Sequence, residues 1–183
     1  MSPTRRRRSP VFRRSPSAEI EIRRIADHDL ESLNQLLTIW SSREYAKRVA
    51  AQRRGEMVQL VAWDGAVPVG RGMVLFPAHD EWSISALRER CSEVRDVSVV
   101  PSHRRRGIAR SMMAWLERAA RDAGAARIGL SVGLAEDDAP ARTLYEALGY
   151  RQAHGPMITS VNLDGDEGPI PVGAALTYLV KDL

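Results

Sequence analysis

Apolar and polar positions along this chain change period several times, and each change marks an expected element. Glu19 to Ile25 alternates charged and apolar residues, with Ile20 and Ile22 on one face, as a half-buried strand does. Asp27 or Asp29 is placed to cap a helix, because a carboxylate accepts the free amide hydrogens of a first turn. Leu30, Leu33, Leu37 and Trp40 then recur at helical spacing. A second helix is expected from about residue 42 to 54, with Tyr45 and Val49 inward and Gly55 as its stop. Val58 to Trp63 reads as a strand, Asp64-Gly65 as a hairpin turn, and Val67 to Phe76 as the returning strand. Gly70 and Gly72 within it point to a bulge or a close backbone approach.

Pro77 to Cys91 shows no period. Glu93 to Val100 is a strand ended by Pro101. Arg106 to Ala123 is the strongest helix, with Ile108, Met112, Trp115, Leu116, Ala119 and Ala123 in one stripe and Gly124 as its end. Arg127 to Val132 is a strand, and Pro140 to Leu148 a helix closed by Gly149. Met157 to Leu163 and Ala174 to Val180 are two last strands, joined through the turn-rich DGDEGPIP. This order predicts an α/β (α+β) domain with a mixed sheet.

Composition narrows the function. The 183 residues carry 44% hydrophobic side chains, enough for a core, which excludes global disorder. The lone Cys91 excludes a disulfide scaffold and a cysteine-rich zinc site, and the four histidines show no ligand spacing, so no metal is expected. No apolar run approaches the ~18 residues of a membrane helix. The net charge of +4 suggests nucleic acid until the charge is located. Residues 1–18 hold six arginines and no acid, and the remaining 21 basic groups face 23 acids, so residues 19–183 sum to −2. The arm is rich in arginine, serine and proline and poor in apolar groups, and is expected to be disordered. No hydrophobic stretch follows its arginines, so it is not read as a secretory signal, and a cytoplasmic location is expected.

The stretch that carries chemistry is Val97 to Ala109, VSVVPSHRRRGIA. A strand runs into an arginine-rich turn, and the turn opens the strongest helix. Unpaired N–H groups at a helix start make a cradle for an anion. Gly107 lets backbone approach a ligand, and Arg104, Arg105, Arg106 and Arg110 add positive charge. A phosphate or pyrophosphate suits such a turn. The pattern is neither a Walker loop nor a Rossmann fingerprint, whose glycine spacings are absent. An ordinary helix start with surface arginines is the plain alternative.

Arg104 to Ala109 resembles the Gln/Arg-x-x-Gly-x-Gly/Ala signature of the GNAT superfamily of N-acetyltransferases, and Val97-x-Val99-x-Pro101 resembles the family's fourth strand. Downstream, Asp138-x-x-Ala141-x-x-Leu144-Tyr145 and Gly149-Tyr150 resemble its Asn-x-x-Ala-x-x-Leu-Tyr…Gly-Phe/Tyr segment. The resemblance covers roughly 19–183 and implies one N-acetyltransferase domain. Its sheet would be mixed, mostly antiparallel, flanked by helices and splayed between strands four and five.

It also implies acetyl-CoA as co-substrate and an amine as acceptor. Backbone at Val97, Ser98 and Val99 would pair with the pantetheine arm. Arg104, Arg105, Arg106, Gly107, Ile108, Ala109 and Arg110 would hold the pyrophosphate. Tyr145 is the candidate proton donor to the leaving thiolate, with a core aromatic as its plain alternative. Glu93 is the candidate base, acting through a water, or else a solvated strand-end acid or a partner for Arg95. Asp96, expected on the opposite strand face, is its rival. Asp138 stands where the family usually has Asn. An ionised carboxylate accepts but cannot donate, so it is either a cofactor contact or simply a helix cap. His103 is expected to be exposed beside the turn, and Cys91 to be structural. A homodimer is a family-based expectation, and the acceptor is not legible.

Two other functions compete. One is a catalytically idle acyl-CoA-binding module. The other is binding of nucleic acid or an acidic partner through residues 1–18. The nucleic-acid reading predicts affinity that falls steeply with salt and is lost with the arm. A chain shortened by those residues that keeps its affinity excludes the arm.

Overall fold

The computed structural model describes residues 19–36, 42–76, 89–165 and 168–183. The arm, Leu37, Trp40 and most of the aperiodic stretch after Pro77 lie outside the described residues. Alternating residues make β1 (Glu21–Arg24), and a single 3-10 turn leads into α1 (Leu30–Leu36) and then α2 (Ser42–Arg53). Gly55 follows at φ 75°, the left-handed stop expected of it. β2 (Met57–Asp64) and β3 (Val67–Leu75) pair antiparallel, with Asp64 opposite Val67. The two-residue loop is therefore Gly65-Ala66, one position later than expected. Gly65 takes φ 61° where Ala66 does not, as a type II′ turn requires.

β4 (Ser92–Val99), α3 (Ile108–Asp122), β5 (Arg127–Gly133) and α4 (Ala139–Ala147) follow. β6 (Arg151–Gly165) and β7 (Gly168–Asp182) are much longer than their apolar runs. Their pairing with each other extends the ladder through polar positions that carry no hydrophobic signal. The seven-stranded sheet has the order β1-β2-β3-β4-β5-β7-β6. Every pairing is antiparallel except β4 with β5.

Alternation along the strands divides the core between two faces. Leu60, Ala62, Val74, Val94, Ile128 and Leu130 pack with Ile108, Met112, Met113 and Leu116 of α3 and with Tyr145 of α4. On the other face, Val61 and Trp63 pack with Leu33 of α1 and with Tyr45 and Val49 of α2. The α3 stripe differs from its pattern at its ends. Ala123 is exposed, and Met113, Glu117 and Ala120 are buried as well. The helix starts at Ile108 rather than Arg106, because Gly107 sits at φ 81° and cannot belong to it.

The glycines of β3 let this helix close on the sheet. A Cβ on Gly70 would lie 3.2 Å from the Ser98 carbonyl oxygen and one on Gly72 3.1 Å from a Val97 methyl, with Met112 of α3 in contact at 3.4 Å from each. The neighbours on β4 would have to give by a few tenths of an ångström.

Neither Asp27 nor Asp29 caps the helix in the forward sense. The buried Asp29 carboxylate reaches back, accepting from the Ala26 N–H at 2.8 Å and from both terminal Arg23 nitrogens at 2.7 Å. Burial works against its charged form. The Arg23 and Ala26 bonds outweigh that and leave the carboxyl below its ordinary value. The carboxylate therefore stabilises the fold above the ordinary carboxyl pKa, and this contribution is lost as pH falls through the lowered folded value. Asp29→Asn is expected to cost about 2 kcal/mol in denaturant titrations at neutral pH, and the difference from wild type should vanish in acid.

Candidate active site

The parallel pairing of β4 with β5 covers Ser92, Glu93 and Val94 against Ile128, Gly129 and Leu130, and then stops. β4 runs on to Val99 and β5 to Gly133. Each stays paired on its outer side, β4 with β3 and β5 with β7. Beyond Val94 and Leu130 the two inner edges have no partner strand among the described residues, though Arg104 bonds the Val99 carbonyl and Arg142 the Gly133 carbonyl.

A bulge sits at the point of departure. Arg95 pairs with Met73 and Ser98 with Arg71, so Asp96 and Val97 together oppose Gly72. Asp96 takes φ 57° to accommodate the extra residue, and such a bulge increases local twist. It also breaks the alternation expected of this strand. Asp96 does not stay on the face opposite Glu93. Its carboxylate accepts from both terminal nitrogens of Arg48 at 3.2 Å, and Arg48 also donates to Gln59 at 2.8 Å, on the face that carries Met73 and Arg95.

β4 leads on to the arginine turn. After the 3-10 turn Pro101–His103, Arg105 takes φ 62° and Gly107 φ 81°. Two left-handed residues so close together make a tight turn immediately ahead of α3. No side chain caps α3, so its first amides stay available. Arg104, Arg105, Arg106 and Arg110 are all exposed around it. A Cβ on Gly107 would meet nothing within 4 Å, so the space is open and glycine is needed there for its φ. His103 is not exposed as expected. Its Nε2 lies 3.0 Å from an Asp64 oxygen and its Nδ1 2.9 Å from the Ser102 hydroxyl.

Tyr145 lies on α4, buried at 8% exposure among the residues between sheet and α3, with its ring edge-on to Tyr150 at 5.9 Å. Burial, and then the charge of Asp138, push its phenol up to about 12. It therefore holds its proton throughout the ordinary pH range. Asp138 precedes α4 but its side chain makes no cap. It folds over Gly133 at the end of β5 instead, where a Cβ on that glycine would come within 2.6 Å of the carboxyl carbon. Glycine at 133 makes room for this carboxylate.

Glu93 is buried at 3% exposure rather than solvated, with Arg95 Nη2 at 3.2 Å from its carboxylate. It pairs with Gly129, over which the Tyr178 ring lies, and Cys91 Sγ is 3.3 Å from the Tyr178 hydroxyl. Burial raises the Cys91 thiol, which suits the structural role expected of it. Glu93 and Tyr145 thus belong to opposite faces of the sheet, Glu93 on the last paired stretch of β4 and β5 and Tyr145 beneath α3.

Sequence reasoning missed the Asp96 bulge, Gly133 and the Asp64–His103 contact. Only the bulge left a signal: Val94, Val97 and Val99 all pack toward α3, and a spacing of three is impossible in a regular strand. Among the described residues no cluster of His, Cys, Asp and Glu is arranged to hold a metal, and no helix is long and apolar enough to cross a membrane.

A mixed sheet whose parallel pairing ends between strands four and five, followed by a glycine-led helix, is the architecture that the sequence resemblance implied. Residues 21–150 match the acetyltransferase (GNAT) family, and the chain belongs to it. No curated protein sequence matches. Several solved structures share the fold. A putative acetyltransferase from Salmonella typhimurium, solved with its cofactor acetyl-CoA, aligns at a TM-score of 0.65 with 18% identity, over 91% of this chain and 95% of its own. The PaiA N-acetyltransferase of Thermoplasma acidophilum, in complex with coenzyme A, aligns at 0.62 with 14% identity, over 90% and 99%. A ribosomal-protein-alanine N-acetyltransferase from Brucella melitensis aligns at 0.64 with 20% identity, over 89% and 99%.

In ultraviolet titration against Tyr145→Phe, the Tyr145 phenol should ionise near pH 12. It should ionise lower in Asp138→Asn, because removing a neighbouring negative charge favours the phenolate. An unmoved midpoint would separate the two groups.

Proposed function

We propose that this protein transfers an acetyl group from acetyl-CoA to a primary amine, with residues 19–183 as the catalytic unit. One observation carries the reading: an opened strand pair leads straight into an uncapped, glycine-bearing helix start ringed by arginines. A long acyl thioester ending in a pyrophosphate matches both parts.

The residues present fit that co-substrate. Amides from Arg105 to Arg110 hold the pyrophosphate, with Arg104 opening the turn. The inner edge of β4 at Val97, Ser98 and Val99 pairs with the amide-bearing pantetheine arm. Asp138, folded over the end of β5, accepts a hydrogen bond from that arm. When bound, acetyl-CoA supplies the activated acyl group. An N–H of the β4 edge polarises the thioester carbonyl, a role worth most in a site shielded from water. Glu93 accepts the proton of the attacking amine through a bridging water. Tyr145, protonated across the ordinary pH range, delivers a proton to the departing sulfur.

Amine acceptors assayed by release of CoA thiol test the reading. Tyr145→Phe should lower kcat about 100-fold with little change in KM, the usual weight of a general acid. Gly107→Glu should abolish the protection that acetyl-CoA gives against thermal unfolding, since it sets a side chain and a negative charge in the cradle. A chain that binds no acyl-CoA contradicts the proposal, and full turnover in Tyr145→Phe removes that residue from it.

A further inference from the structure

The arginine turn is conformationally expensive. A non-glycine residue at positive φ is strained and persists only where its surroundings hold it. Arg105 is such a residue, two positions before Gly107. Most bonds that hold the turn come from the end of β4 and its flank. The Val100 N–H donates to the Val69 carbonyl at 2.9 Å, the His103 N–H to the Val100 carbonyl at 2.9 Å, and Arg104 Nε to the Val99 carbonyl at 3.0 Å. His103 reaches further. Its ring joins the turn to Asp64, at the tip of the β2–β3 hairpin and 39 positions earlier in the chain.

The chemistry of the contact is one-directional. A carboxylate only accepts, so His103 Nε2–H donates to Asp64, and in the neutral ring Nδ1 then accepts from the Ser102 hydroxyl. The side chains are 19% and 30% exposed, which shields the pair from full solvent competition. The contact sits next to Arg104, so it also ties down a carboxylate that would otherwise place negative charge beside a phosphate site.

We propose that Asp64 and His103 form a strap that positions the arginine turn for the pyrophosphate of acetyl-CoA, making both positioning residues for co-substrate binding. The inference rests on the phosphate-binding reading of that turn. The strap acts on one end of the ligand only. It leaves the β4–β5 gap untouched, so affinity for the pantetheine arm does not depend on it. Loss of the two partners is also unequal. Without Asp64 the turn is merely loosened. Without His103 the turn is loosened and the Asp64 carboxylate, no longer held by a donor, is free to swing toward the phosphates, so that loss is greater and shrinks as salt screens the charge.

Calorimetric titration of the full chain with coenzyme A and, separately, with pantetheine, which lacks the diphosphate, tests this. Asp64→Ala is expected to weaken coenzyme A about fourfold, and His103→Ala about tenfold at low salt, on the scale of one partly exposed charged hydrogen bond. Pantetheine affinity should stay within about twofold of wild type, and Asp64→Asn, which keeps an acceptor oxygen, should retain most of the coenzyme A affinity. The double alanine variant should resemble Asp64→Ala rather than His103→Ala. Equal losses for coenzyme A and pantetheine, or no loss in either alanine variant, overturn the strap. A wild-type chain that binds coenzyme A no more tightly than pantetheine overturns the phosphate-binding reading itself, and the strap with it.

Discussion

β4 and β5 share three residue pairs and then part, and the rest of the molecule is arranged around that parting. A sheet that stops pairing exposes N–H and C=O groups that must find another partner. Here the cost is contained, because both strands stay bonded on their outer sides and the hydrophobic layer under α3 continues beneath them. The Asp96 bulge steers β4 away from β5, and Gly72 on β3 leaves room for Val97 to pack in its place. What results is a parting of the two strands, beyond which their inner edges have no partner strand among the described residues.

That parting organises the side chains around it. Its far end meets α3 at an uncapped N-terminus, where backbone and arginines concentrate positive potential. At its side stands Tyr145, whose burial keeps it protonated, with the Asp138 carboxylate folded over Gly133 close by. On the opposite face Glu93, Arg95, Asp96 and Arg48 form a polar floor beneath α2. These groups come from separate elements brought to the two faces of the sheet around the point where β4 and β5 part.

Much of the architecture was legible in the sequence, because it rests on local rules. The α3 stripe, the Gly55, Gly124 and Gly149 stops and the alternation of the strands follow from helix and strand periods. The sheet's hydrophobic rows extend this through β2 to β5. What could not be read depends on long-range pairing. The extent of β6 and β7 is set by their pairing with each other and not by their own apolar runs. The Asp96 bulge reversed the face assigned to that residue, although the spacing of Val94, Val97 and Val99 carried its trace. His103 looked like a surface histidine because its partner, Asp64, lies in a distant hairpin. Asp138 looked like a cap because nothing local reveals that Gly133 has vacated space for its carboxylate. The residues of the arginine turn and Tyr145 were picked out by motif, while the left-handed backbone at Arg105 and the burial of Tyr145 against Tyr150 were not.

The central claim is that the inner edge of β4 receives the co-substrate. Hydrogen exchange of the backbone amides from 97 to 99, with and without acetyl-CoA, tests it most directly. The account predicts strong added protection there on binding, with the amides of Ser92 to Val94, already within the sheet, little changed. Acetyl-CoA bound with no change in exchange from 97 to 99 would contradict it.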